Sequence, residues 1–195
     1  MTAIDPLLLD LPDEILTRRL RIAVPRAGDG AEVNEAIVES FEELHQWMPW
    51  AAELPSVLES EHFARDAAAR YLRREDLPLL LRKRRSGELI GASGFHRIDW
   101  TVPRFEIGYW CRTSEVGHGY ISEAVIGLTR FAFKTLRAAR VEIRTDVDNA
   151  RSWRIPERLG FTLEGVLRRD TRTPQGELRD TRVYAMVDPA DLRSR

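Results

Sequence analysis

Polar and apolar positions alternate over residues 18–25, with Leu20, Ile22 and Val24 on one side, which predicts a strand. Gly28-Asp29-Gly30 breaks the pattern. Val33, Ile37, Phe41 and Leu44 then recur at helical spacing, so one helix is expected over about 31–47. Pro49, Trp50 and Pro55 mark a loop over 48–55, and Ser56 followed by Glu59 is a capping-box pattern opening a helix to about Arg74. Segments 79–84 and 88–99 flank Ser86-Gly87 and read as a hairpin. Phe105, Ile107 and Tyr109 alternate with Glu106, Gly108 and Trp110 in a further strand, 104–111. A glycine-containing loop, 116–119, leads into a long helix to about Leu136, whose apolar stripe is Ile121, Val125, Leu128 and Ala132. A strand at 141–145 precedes a short helix over 149–159 that Gly160 closes. Pro156 has no N–H to donate, so it is expected in the first turns of that helix. Strands at 161–168 and 182–187, joined by a turn at Pro174-Gln175-Gly176, complete the chain. The order predicts a mixed α/β sheet of about six to seven mostly antiparallel strands with about four helices packed on it. It is not the regular alternation of a doubly wound dinucleotide fold.

The 195 residues suit one domain, and 43% hydrophobic with 31% charged residues excludes a disordered chain. Thirty basic against thirty-one acidic residues leave a net charge of -1, which argues against a nucleic-acid partner. Among the basic residues only Lys83 and Lys134 are lysine, a bias that carries no functional message. Cys111 is the single cysteine and has no internal disulfide partner, which points to a reducing compartment. No apolar stretch approaches the roughly 20 residues of a membrane span, and the leucine-rich start is acidic rather than basic, unlike a signal peptide. The expectation is a cytoplasmic protein with no membrane contact. No His/Cys cluster has metal-ligand spacing, so no metal is expected.

Chemistry concentrates first in Val116-Gly117-His118-Gly119-Tyr120-Ile121. The first turn of a helix offers unpaired N–H groups and the positive end of the macrodipole, and glycines let an anion approach the main chain. Pyrophosphate is the natural guest, an ordinary turn the alternative. The loop is neither a Walker loop, since no Gly-Lys-Ser/Thr follows, nor a Rossmann fingerprint, since a third glycine is missing.

The segments Phe105-Glu106-Ile107-Gly108-Tyr109-Trp110, Gly117-His118-Gly119-Tyr120-Ile121-Ser122-Glu123-Ala124, Asn149-x-x-Ser152 and Glu157-Arg158-Leu159-Gly160-Phe161 together resemble the GNAT N-acetyltransferases, in particular the RimJ/RimL-type branch that acts on ribosomal-protein N-termini. Leu16-Thr17-Arg18-Arg19-Leu20-Arg21, Trp47-Met48-Pro49-Trp50 and Ile90-Gly91-Ala92-Ser93-Gly94-Phe95 agree. The resemblance implies a GNAT fold over 16–188, with an N-terminal extension (1–15) and a C-terminal tail (189–195). It implies transfer of an acetyl group from acetyl-CoA to a primary amine by direct attack in a ternary complex, and chains that often pair as homodimers. It further implies that Val116, Gly117, His118, Gly119, Tyr120 and Ile121 hold the pyrophosphate, that main-chain groups up to Trp110 and Cys111 meet the pantetheine, and that Asn149 and Ser152 lie beside the sulfur. Val116 replaces the usual Arg or Gln at the opening of the loop and Ile121 the usual small residue at its close. A side-chain phosphate contact is thereby lost while the amide cradle is kept.

Several residue types match this chemistry. A neutral amine must lose a proton as it attacks, and a strand carboxylate suits that task; Glu106 is the candidate, or else a solvent-facing strand residue. The departing thiolate needs an acid, for which Ser152 is the candidate, or else it only caps the helix after Asn149. Cys111 either forms a covalent acetyl intermediate or packs as a small apolar residue. His118 faces phosphate or solvent. Trp47 and Trp50, among Glu39, Glu42, Glu43 and Glu53, either floor a pocket for a cationic acceptor or pack in the core. The acceptor is then a protein N-terminus. Small-molecule amines (aminoglycoside, polyamine, amino acid) and a CoA-binding sensor with little catalysis remain the alternatives.

Overall fold

A computed structural model describes residues 5–193; residues 1–4 of the expected N-terminal extension and 194–195 of the tail lie outside the described residues. Its single sheet contains β1 (Glu14–Leu16), β2 (Leu20–Ala23), β3 (Leu77–Lys83), β4 (Leu89–Asp99), β5 (Arg104–Cys111), β6 (Arg140–Asp146), β7 (Thr162–Arg172) and β8 (Leu178–Met186). Five helices join them: α1 (Gly30–Glu39), α2 (Phe41–Trp47), α3 (Val57–Arg73), α4 (Tyr120–Lys134) and α5 (Ala150–Leu159). Spatial order is β1-β2-β3-β4-β5-β6-β8-β7. Only β5 and β6 run parallel, as expected of strands joined by a helical crossover, here α4.

Two cores sandwich the sheet. The run Leu77–Leu81 reads as continuously apolar because both faces of β3 are covered. Leu79 and Leu81 join Ile90, Phe95, Phe105 and Ile107 beneath Val125 and Leu128 of α4. Leu80 faces the other way, with Leu89 and Trp110, beneath Val33 and Ile37 of α1 and Leu44 of α2.

Three expectations are corrected. The helix over 31–47 breaks at Ser40 (φ −105°), a fully buried residue whose hydroxyl accepts the N–H of Thr113. A strand at Glu14–Leu16, too short to show a period, adds an edge beside β2, so the strands number eight rather than six to seven. Pro156 is the seventh residue of α5, at the end of its second turn and not at its start. The expected turn at Pro174-Gln175-Gly176 does connect β7 and β8.

The parallel ladder is what opens a site. It pairs only Arg104, Phe105 and Glu106 with Arg140, Val141 and Glu142. Beyond Glu106, β5 pairs with β4 alone, as far as Cys111, while β6 pairs with β8 alone, as far as Asp146. The two strands therefore splay into a V at their carboxyl ends, the place where ligands meet open α/β sheets.

Candidate functional site

The mouth of α4 lies beside this V. Gly117 and Gly119 have φ of +89° and +75°, a region glycine enters without steric cost, and space around a Cβ at Gly117 is open. Among the described residues, no hydrogen bond engages the backbone N–H groups of Gly117, His118, Gly119, Tyr120, Ile121 or Ser122; the first turn closes only where Glu123 N–H meets the Gly119 carbonyl. Six consecutive free amides at a helix N-terminus form an anion cradle. Ile121 sinks its side chain into the core and contributes main chain alone to the cradle, whereas Val116 is exposed and its N–H is taken by the Thr113 carbonyl. The Ile121 departure from the family pattern thus leaves the amides unobstructed.

A brace fixes this loop. Glu123, in the first turn of α4, accepts from Thr17 Oγ1 (2.6 Å), Arg19 N–H (2.7 Å) and Arg19 Nε (2.6 Å). Burial pushes the Glu123 carboxyl up, but these three donors outweigh it and hold it below the usual range. Arg19 Nη1 donates to the His118 carbonyl at 2.9 Å, and its guanidinium covers the Tyr120 ring at 4.5 Å. The His118 side chain itself is exposed. The groove running from this mouth has a volume of about 1590 Å³ and is lined by Arg19, Arg130, Lys134, Arg151, Arg154 and Arg158 among others, which makes it strongly cationic.

Across the V, β5 and α5 are tied by a contact that sequence reasoning missed. Pro156 has no N–H for the Ser152 carbonyl four residues before it. Tyr109 on β5 supplies the donor instead, its hydroxyl reaching that carbonyl at 3.0 Å. The Ser152 hydroxyl in turn donates to the Tyr109 oxygen at 3.3 Å. A proline inside a helix beside an aromatic strand is the signal that could have located this pair. Asn149, not Ser152, caps α5: its Oδ1 accepts the Ser152 N–H at 3.1 Å, leaving the serine hydroxyl for other work. Burial raises the Tyr109 phenol, so it stays protonated and remains a donor. Cys111 lines the cationic groove, and burial pushes its thiol up to about 12, far from a ready nucleophile.

A second cavity, of about 620 Å³, lies on the opposite face of the sheet under α1 and α3. Its walls are largely apolar: Val33, Ile37, Met48, Trp50, Phe63 and Trp110. Trp50 and Trp110 meet there with ring centroids 6.2 Å apart. Trp110, expected on the cofactor side, turns its ring into this cavity, and Cys111 alone of the two lines the groove. Trp47 is half-buried away from the cavity lining; its carbonyl accepts from Arg179 Nη1. Glu106 lies on this face of β5, paired with His96 and Glu142 on the flanking strands. Its carboxylate is buried with one oxygen unbonded and Arg97 Nε 3.6 Å away. Burial raises its pKa against the opposing pull of Arg97, Arg144 and His96. Among the described residues no group of three His, Cys, Asp or Glu side chains is arranged to hold a metal, and no helix is long and apolar enough to cross a membrane.

This geometry has close relatives. A Bacillus subtilis protein named as a putative ribosomal N-acetyltransferase, YdaF, is 32% identical over 153 residues, 76% of this chain and 80% of that protein. The uncharacterized N-acetyltransferase p20 of Bacillus licheniformis is 35% identical over 100 residues; that match spans 51% of this chain and only 56% of the relative. In structure, the ribosomal L7/L12 α-N-protein acetyltransferase RimL, solved with coenzyme A, superposes with a TM-score of 0.84 over 91% of this chain and 99% of that one, at 22% identity. The family model of the acetyltransferase (GNAT) domain matches residues 19–162, which run from the Arg19 brace through the amide cradle to the start of β7. The chain belongs to the GNAT acetyltransferases.

Proposed function

We propose that this protein transfers the acetyl group of acetyl-CoA to a primary amine, a protein N-terminal amine in the first instance. The carrying observation is the row of six unbonded amides from Gly117 to Ser122 at the mouth of α4, opening on the β5–β6 splay. That cradle fits a diphosphate, and the arginines along the groove fit the remaining phosphate charge. Acetyl-CoA supplies an acetyl group activated as a thioester. The splayed edge of β5, at Tyr109 and Cys111, offers unpaired main-chain groups for the pantetheine arm. The Ser152 hydroxyl, held against Tyr109, is placed to protonate the departing sulfur, with Asn149 fixing the turn that presents it. The acceptor enters from the opposite face, through the cavity floored by Trp50 and Trp110. Glu106, one strand position from that cavity, provides the negative charge that draws the amine proton.

The relatives' names support a ribosomal-protein amine as acceptor. An α-amine titrates near 8 and is partly neutral at physiological pH, so it asks less of the enzyme than a lysine near 10.4. A small-molecule amine is the second reading, favoured by a cavity of about 620 Å³, a size that holds one small ligand. The domain limits of 16–188, a cytoplasmic site of action and pairing into homodimers belong to the same reading.

A thiol-release assay tests it. With saturating acetyl-CoA, a hexapeptide with a free N-terminal serine is expected to be turned over and its N-acetylated counterpart to be inert. Turnover of spermidine or kanamycin instead selects the small-molecule reading. Acetyl-CoA binding without release on any amine contradicts the enzyme and leaves a sensor.

A further inference from the structure

The second cavity contains one polar arrangement that neither the amide cradle nor the Tyr109–Ser152 pair uses. The His96 ring lies over Gly108, where a Cβ would stand 2.9 Å from its Cδ2 and 3.2 Å from its Nε2. Its Nδ1 is 2.9 Å from Asp76 Oδ1. Asp76, in the turn between α3 and β3, accepts from Arg70 Nη1 at 2.8 Å through its other oxygen. Asp66 holds Arg70 Nε at 2.8 Å one turn earlier in α3. A carboxylate engaged by arginine only accepts, so the neutral ring carries its proton on Nδ1 and the lone pair on Nε2. No protein group among the described residues bonds that Nε2. His96, Asp76, Arg70 and Gly108 all line the cavity, whereas Glu106 does not.

We propose that His96 is the base that receives the acceptor's proton, with Asp76 as the positioning residue that fixes its tautomer. This rests on the acetyl-transfer reading above. The amine nitrogen attacks the thioester carbon and forms the C–N bond as its N–H proton passes to His96 Nε2. The C–S bond breaks with its electron pair on sulfur, which takes the Ser152 proton. Ser152 regains a proton from solvent and His96 gives one up to it, so the step balances. The negative charge of Glu106, opposite His96 on β5 and on the same face of the sheet, favours the imidazolium that forms.

The test uses the full chain, acetyl-CoA and the N-terminal-serine hexapeptide. His96→Gln is expected to lower kcat roughly 100-fold while KM for acetyl-CoA stays within about twofold, and to abolish the acid limb of the kcat/KM profile. The charged and titratable groups around His96 are Asp76 on its Nδ1, Arg70 bound to Asp76, Glu106 opposite it on β5 and Arg97 beside Glu106, with Glu59 of α3 lining the same cavity. Asp76→Asn should lower kcat while retaining that limb, displaced in pH. A His96→Gln enzyme with wild-type kcat and an unchanged profile overturns the proposal. Nitrogen-15 NMR of the imidazole reads the tautomer without any acceptor: a neutral His96 protonated on Nδ1 is expected, and one protonated on Nε2 overturns the base role. Wild-type protein that releases no thiol with any amine, whatever the tautomer, overturns the transfer reading and the base role with it.

Discussion

On the acetyl-transfer reading Ser152 and Cys111 are the two candidates at the acetyl group, and their surroundings separate them. Ser152 has a hydroxyl partner in Tyr109 and a main chain already capped by Asn149. Removing its hydroxyl therefore leaves α5 capped. Ser152→Ala should lower kcat about 10- to 100-fold with acetyl-CoA affinity preserved, measured by steady-state kinetics beside isothermal titration. Cys111 is pushed up to about 12 by burial, with the Glu115 charge adding to it. Its thiol stays protonated at neutral pH, so iodoacetamide should label it far more slowly than free cysteine at pH 7.5, with the rate still rising above pH 9. Rapid labelling at neutral pH would reopen the covalent route. The sequence made both residues candidates; only the fold decides between them, because the Tyr109 contact spans the gap between β5 and α5.

At the scale of elements, the strands and helices were largely legible because their apolar periods are long and regular, as in Ile121, Val125, Leu128 and Ala132 of α4. The break at Ser40 was not, because the apolar period runs unbroken from Val33 to Leu44 while a tertiary contact, the Thr113 N–H, ends the helix. Nor was the approach of α1 to α3. A Cβ on Gly30 would lie 2.4 Å from the Glu61 backbone, so only glycine lets the two helices cross there, above the second cavity. Gly30→Ala should cost roughly 1–3 kcal/mol in urea denaturation and weaken acceptor binding more than acetyl-CoA binding. An unchanged stability would mean that the crossing relaxes freely.

At the scale of the whole molecule, the edge strands β1 and β2 are coupled to α4 through Glu123, over a separation of more than 100 residues that no local pattern could announce. The folded-state pKa of Glu123 is depressed, so its contribution is complete above the unfolded value near 4.3 and is lost as pH falls through the folded one. Glu123→Gln should therefore lower the thermal midpoint at pH 7, and the gap to wild type should narrow below about pH 4; a gap constant with pH would contradict the brace. The candidate site was legible as a set of motifs, and the glycine loop fell where the pattern placed it. Which side of the sheet each residue serves was not legible: strand alternation separates Tyr109 and Cys111 from Trp110, but only the packed helices say which face is the groove and which the second cavity.

The most direct measurement is a nitrogen-15 correlation spectrum of the full chain titrated with acetyl-CoA. The amides of Gly117, Gly119, Tyr120, Ile121 and Ser122 should shift together and saturate at one equivalent, as donors closing on a diphosphate. Resonances there that stay in place while acetyl-CoA binds elsewhere, or fails to bind, would contradict the account.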